Sequence, residues 1–273
     1  MIGQVELQNT LIKLIKEDKL PKYMIFAGQR GSGRSTLATL VATLIGATVI
    51  KSDGKVDDVR NIIEQSYKLD TKIVCVFPNV DRMSNIAQNT MLKFTEEPPE
   101  NATIIFTAEN ESFVLPTLKS RGTLFHINPY TKQELTEFAF ANKLNISATL
   151  MDDVLDICET PYELTCIASN GAEDFLNYVH KVVDNIAYVS GSNSFKIGKR
   201  LNLSNSDDLD KFDLGLFWKG FIAECNRRMM TNPVHFAKGI QVTCASLQEL
   251  RTTGINKQMC FDTWLLNIRQ EWF

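Results

Sequence analysis

A chain of 273 residues with 29 basic and 32 acidic side chains carries a formal charge of −3. That balance excludes a globally basic nucleic-acid surface but not a local basic face. The length accommodates two or three domains with sizeable cores, and no apolar stretch approaches the roughly 20 residues of a membrane span.

The first segment, "VELQNTLIKLIKEDKLP", has helical apolar spacing, with Pro21 just past its end. "YMIFAG" then reads as a short buried strand running into the glycine-rich "GQRGSGRST", and "STLATLVATLIG" as a helix stopped by Gly46. After "ATVIKSD" a helix is expected over "VDDVRNIIEQSYK", whose Asp57 and Asp58 sit in the first turn, where the helix dipole favours acids. "KIVCVF" is a strand, "NIAQNTMLKFTEE" a helix halted by Pro98 and Pro99, and "ATIIFTAEN" and "LFHI" two further strands. Strands alternating with helices over residues 1–128 predict a parallel α/β sheet with helices on both faces.

Beyond Thr131 the periodicity is helical throughout. A small helical domain is expected over 129–190 and an all-helical one over 191–273, with "SGSNS" (190–194) as the linker. The six cysteines are scattered, with no C-x-x-C pair. Without a secretory pattern at the start, they read as reduced thiols of a cytoplasmic protein that binds no zinc or other metal.

The glycine loop follows G-x-x-x-x-G-K-[ST] with one departure. Gly28 and Gly33 hold the glycine positions, Ser35 the magnesium-binding hydroxyl position, and Arg34 replaces lysine; Gly31 and Thr36 complete the segment. Its backbone N–H groups and the start of the following helix suit a phosphate. Arginine keeps the charge but exchanges a compact ammonium for a broad planar fork, which predicts weak or absent hydrolysis. A P-loop ATPase also needs an acid at the end of a later strand. Here "KIVCVF" runs into Pro78 and Asn79, while Asp81 lies beyond and is expected to cap the next element.

"VDDVRNIIEQSY", "DRMSNIAQNTMLKFTEEPPENATIIFTAEN" and "VLPTLKSRG", in that order, resemble successive blocks of the clamp-loader branch of AAA+ proteins. That branch includes the delta-prime and gamma subunits of bacterial DNA polymerase III and the small subunits of replication factor C. "MLKFTEEPP" resembles the branch's "LLK-x-x-EEPP", and "LPTLKSRG" its "LPT-x-x-SRC". The resemblance implies an AAA+ domain followed by a helical lid and a helical collar.

Functionally it implies a delta-prime-like subunit without its own ATP hydrolysis, working with other clamp-loader AAA+ subunits in a heteropentamer that places a sliding clamp on primer-template DNA. Arg121, with Ser120 beside it in the SRG motif, would then be an arginine finger acting in trans on a neighbour's ATP. Arg60 and, less directly, Arg82 would track DNA phosphates. Gly122 departs from the family cysteine. Glu109 stands where a small hydroxyl residue is expected beside the γ-phosphate, and would repel it.

The retained glycines leave two states open: ATP or ADP held without hydrolysis, or an empty loop. Two alternatives stand beside this expectation, an active ATPase subunit of gamma or replication factor C type and a purely structural adaptor. The aromatic residues Trp218, Phe221, Trp264, Trp272 and Phe273 are expected to serve core and subunit contacts.

Overall fold

The computed structural model describes residues 2–186, 197–203, 211–250 and 255–272. The chain divides into two compact units, Met1–Glu134 and Leu135–Phe273. The break falls a few residues beyond the expected boundary at 128. The second expected boundary, with its SGSNS segment, lies outside the described residues.

The first unit holds strands β1 (Tyr23–Ala27), β2 (Thr48–Lys51), β3 (Ile73–Phe77), β4 (Ala102–Ala108) and β5 (Thr123–His126). They form one sheet in the order β2-β3-β4-β1-β5, every pair parallel. The helices are α1 (Val5–Lys16), α2 (Arg34–Ile45), α3 (Val56–Lys68), α4 (Asn85–Thr90), α5 (Leu92–Glu96) and α6 (Pro116–Lys119).

Strand pleating sends alternate side chains to opposite faces. Met24, Phe26, Val74, Val76 and Ile105 therefore pack with Leu11 of α1 and Leu37, Ala38, Val41 and Ala42 of α2. Tyr23, Ile25, Ile73, Cys75, Phe77, Ile104 and Phe106 pack on the other face with Val59 and Ile62 of α3, Phe94 of α5 and Leu118 of α6. Covering both faces explains why β1, β3 and β4 read as continuous apolar runs, the usual signature of parallel sheets.

Two local details differ from the sequence expectation. The helix expected over "NIAQNTMLKFTEE" is interrupted at the fully buried Met91, giving α4 and α5. Residues 48–51, read only as a segment before a helix, form the edge strand β2.

The second unit contains α7 (Lys132–Ala141), which begins at the division, α8 (Ala148–Leu155), α9 (Pro161–Asn170) and α10 (Ala172–Asn185). Three longer helices follow, Leu214–Arg228, Pro233–Leu250 and Lys257–Trp272. Thr160 and Glu163 form a reciprocal capping box at the start of α9. The unit is not wholly helical, because Leu201–Asn202 pairs in parallel with Phe212–Asp213.

Trp264 is the centre of this unit's core. Its ring lies 5.2 Å from Phe221 and 5.8 Å from both Phe217 and Trp218, and its Nε1 donates to Thr243 Oγ1 at 3.0 Å. Trp272 stacks on Phe221 and His235, so these aromatic residues are core packing; Phe273 lies outside the described residues. Lys219 bridges Glu159 at 2.6 Å and Glu163 at 2.7 Å, tying helix Leu214–Arg228 to the start of α9. Among the described residues, no helix is long and apolar enough to cross a membrane, and no three His, Cys, Asp or Glu side chains converge as metal ligands.

Candidate functional site

The strand order decides where the glycine loop lies. The chain leaves β1 for the far edge, returns through β3 and β4, and then crosses to β5. The connections after β1, β3 and β4 therefore gather beyond the carboxyl ends of neighbouring strands, the usual ligand crevice of open α/β sheets. Gly28 N donates to Ala108 O at 3.0 Å, which fastens the loop to the end of β4.

Glycine is required at three loop positions. A Cβ on Gly28 would lie 2.8 Å from Ser32 Oγ and 2.9 Å from Ile127 Cβ, while Gly31 and Gly33 have φ of 78° and 90°. Tyr130 Oη donates to the Ser32 carbonyl at 3.0 Å, pinning the loop's middle. Gly33 caps α2 without a side-chain bond to its first turn, where Ser35 and Thr36 are exposed. Backbone donors of that turn have no partners within the helix.

Arg34, the first residue of α2, is turned onto the end of β4. Its Nη2 lies 3.1 Å from Glu109 Oε1, and the residue is only 8% exposed. The other carboxylate oxygen of Glu109 accepts from Arg82 Nη2 at 2.7 Å. Burial lowers the Arg34 pKa from the usual arginine range, and Glu109 opposes that shift. Glu109 therefore does not confront the loop as a bare negative charge, as its position in the sequence suggests. Two arginines neutralise it, and Arg82 belongs to this cluster while remaining more than half exposed.

β3 ends at Phe77 and is followed by Pro78 and Asn79, the latter at φ 51° with its N–H donating to Thr107 Oγ1 at 3.0 Å. Asp81 caps the turn after β4 rather than the element that follows it. Its Oδ2 accepts from Glu109 N at 3.2 Å and Asn110 N at 3.1 Å. The residues at these positions differ from the lysine and strand-end acid of a magnesium-ATP hydrolysing P-loop. The lysine position is occupied by an arginine paired through Nη2 with Glu109, and the nearest acid past β3 gives one oxygen to backbone amides, while Arg34 Nη1 and Asp81 Oδ1 are buried without partners.

Arg121 and Ser120 lie just past α6. Arg121 directs Nε and Nη2 to Glu96 Oε1 at 2.9 and 2.6 Å, and Nη1 to the Thr117 carbonyl. Ser120 Oγ donates to Thr117 O at 3.2 Å. The arginine is thus held at the end of α5, with about a third of its side chain exposed. Arg60 projects from α3 and makes a 3.5 Å contact with Asp57 one turn earlier, so it stands apart from the loop cluster in the hydrogen-bond pattern.

Reading the sequence did not identify Tyr130, Glu96 or the Arg34–Glu109 pair as structural partners. Only the pair carried a signal: two departures from one family pattern, of opposite charge.

A family model described as "DNA polymerase III, delta subunit" matches residues 47–131. The DNA polymerase III subunit gamma/tau of Mycoplasma pneumoniae is 23% identical over 58% of this chain and 28% of its own length. The replication factor C small subunit of Picrophilus torridus is 29% identical over 58% of this chain and 55% of its own length. Replication factor C subunit 3 of Saccharomyces cerevisiae is 30% identical over 52% of this chain and 45% of its own length. The matches thus span about half or less of these relatives.

Two solved structures from Thermotoga maritima share the fold. The RuvB Holliday junction branch migration motor aligns with a TM-score of 0.55 at 18% identity, over 97% of this chain and 87% of its own. A DNA polymerase III gamma subunit-related protein aligns with a TM-score of 0.52 at 15% identity, over 97% of this chain and 99% of its own. The sheet order, the glycine loop and the matched blocks fit a clamp-loader AAA+ family, to whose members the chain is similar over part of its length.

Proposed function

We propose that this chain is a delta-prime-like clamp-loader subunit that does not hydrolyse ATP and that offers Arg121 to ATP held by a neighbouring subunit. The observation that carries this reading is the commitment of Arg34 to Glu109 at 3.1 Å beside a β3 that ends in Pro78 and Asn79. A loop without a free lysine-like charge or a metal-binding acid lacks the means to stabilise a transferring phosphoryl group. Arg121 stands at the end of the short α6, partly exposed, and Glu96 limits its conformers. Release of the Glu96 and Thr117 contacts would free the guanidinium to reach across an interface, and a partly exposed ion pair such as that with Glu96 contributes little to stability.

In this reading the partners are other AAA+ clamp-loader subunits in a heteropentamer, a sliding clamp and primer-template DNA, with Arg60 the candidate phosphate contact. Two measurements test it together. The purified chain should show no ATP turnover, and a tagged chain recovered from its native cells should bring with it a hydrolysing AAA+ subunit and a sliding clamp, identified by mass spectrometry. Turnover abolished by Ser35→Ala, or recovery without any AAA+ partner, would overturn the reading.

A second reading has one observation in its favour. Arg121 already has intrachain acceptors in Glu96 and Thr117, so it could serve only to tie α5 to α6 in a structural adaptor. Assembly ATPase unaffected by Arg121→Ala would select that reading.

A further inference from the structure

The phosphate loop contains more unused binding capacity than a purely structural turn requires. Arg34 Nη1 is buried and has no hydrogen-bond partner, and Ser32 Oγ, in a residue only 2% exposed, has none either. The first turn of α2 has no side-chain cap. Buried polar groups are ordinarily paired, so orphaned donors in a loop of this shape point to an anion as their missing partner.

Other contacts of the loop oppose an anion. Glu109 touches Arg34 at 3.1 Å and Arg82 at 2.7 Å, and its own N–H and that of Asn110 are clamped by Asp81. Two arginines and two carboxylates make the cluster neutral. The Arg34 and Glu109 side chains are 9% and 22% exposed, so solvent screens their interaction less than that of a surface pair.

We infer that Glu109 is the fixed internal anion of the phosphate loop: its carboxylate takes the guanidinium edge that a phosphate oxygen would otherwise meet, and so determines that the loop rejects polyphosphate. The inference rests on the non-hydrolysing reading and adds its cause. Neutralising Glu109 leaves the cluster with one net positive charge, a freed Arg34 fork and the uncapped first turn of α2. The result is a site for a di- or triphosphate anion. Because Asp81 accepts from the backbone at Glu109 rather than from its side chain, the turn keeps its shape when that side chain changes.

The test is isothermal titration of the purified full chain with inorganic pyrophosphate at low ionic strength, without magnesium. Wild type is compared with Glu109→Gln and with Glu109→Gln combined with Arg34→Gln. Glu109→Thr is carried alongside, and whichever single variant melts like wild type decides. Affinity should rise at least about tenfold in the single variant, as removing a close like charge implies, and return to the wild-type level in the double variant. Wild-type binding as tight as the variant's, no gain in a folded single variant, or a gain that survives in the double variant would each overturn the inference. ATP turnover is measured separately. Turnover by wild type would sink the non-hydrolysing reading, whereas an inactive wild type with no gain at Glu109→Gln would sink only this inference.

Discussion

Asp81 is the residue whose removal should most specifically disturb the site, and the size of the effect can be worked from its contacts. It is 6% exposed, and its Oδ2 accepts two backbone amides, Glu109 N at 3.2 Å and Asn110 N at 3.1 Å. Bonds to a charged acceptor contribute about 1.5–3 kcal/mol each, and these lengths, beyond the usual 2.9–3.0 Å, put both near the lower end, or about 3 kcal/mol together. Against that, Oδ1 is buried without a partner, and deleting the carboxylate relieves about 1 kcal/mol of desolvation.

Asp81→Ala should therefore destabilise the first unit by about 2 kcal/mol. Asp81→Asn, which keeps an acceptor, should cost about half as much or less. Urea unfolding followed by circular dichroism gives the free energy, and hydrogen exchange at the amides of 109 and 110 gives the location. Exchange there should accelerate by about 30-fold in the alanine variant, the equivalent of about 2 kcal/mol in opening free energy. An alanine variant within about 0.5 kcal/mol of wild type, or exchange that speeds up elsewhere but not at these two amides, would refute the reasoning.

In the second unit, burial pulls the Lys219 pKa down, but Glu163 and Glu159 outweigh it and hold the ammonium above its ordinary 10.5. The pair's contribution is therefore fully present below about 10.5 and should fade as pH rises through the higher folded value, visible as a falling melting temperature only at strongly alkaline pH. Lys219→Met should remove that alkaline dependence and cost about 2 kcal/mol, less than a fully buried pair because Glu159 is 44% exposed. Trp264→Ala should cost about 3–5 kcal/mol in urea denaturation, since the ring touches Phe217, Trp218, Phe221 and Phe261 and its loss also removes the donor to Thr243 Oγ1, which keeps only its bond to Gly239 O. A loss below about 1 kcal/mol would mean that the core repacks around the cavity.

Much of the first unit was readable from local pattern alone. "YMIFAG", "KIVCVF" and "ATIIFTA" announce strands because a doubly covered parallel sheet needs apolar side chains on both faces. The helix over "VDDVRNIIEQSYK" starts and stops where the sequence says, at Val56 and Lys68. β2 escaped because a four-residue edge strand with mostly exposed side chains has no strong period. The break at Met91 escaped because neither glycine nor proline marks it.

The site was harder to read for a different reason. Arg34 and Glu109 are 75 positions apart, and only the sheet order brings the end of β4 beside the loop after β1. A carboxylate judged by itself suggests repulsion of phosphate; judged beside two arginines, it becomes the partner that satisfies one of them. Glu96 was hidden in the same way, 25 residues from the arginine it holds.

The central claim is tested most directly by the ATPase rate of the assembly recovered through a tag on this chain, wild type against Arg121→Ala, with subunit stoichiometry confirmed in both. A finger acting in trans predicts intact assembly and turnover at the neighbouring ATP site lower by about 10³-fold or more, as for other such arginines. An intact assembly whose neighbouring site, isolated by disabling the other ATP sites, turns over within about twofold of wild type would contradict the account and leave Arg121 as a tie between α5 and α6.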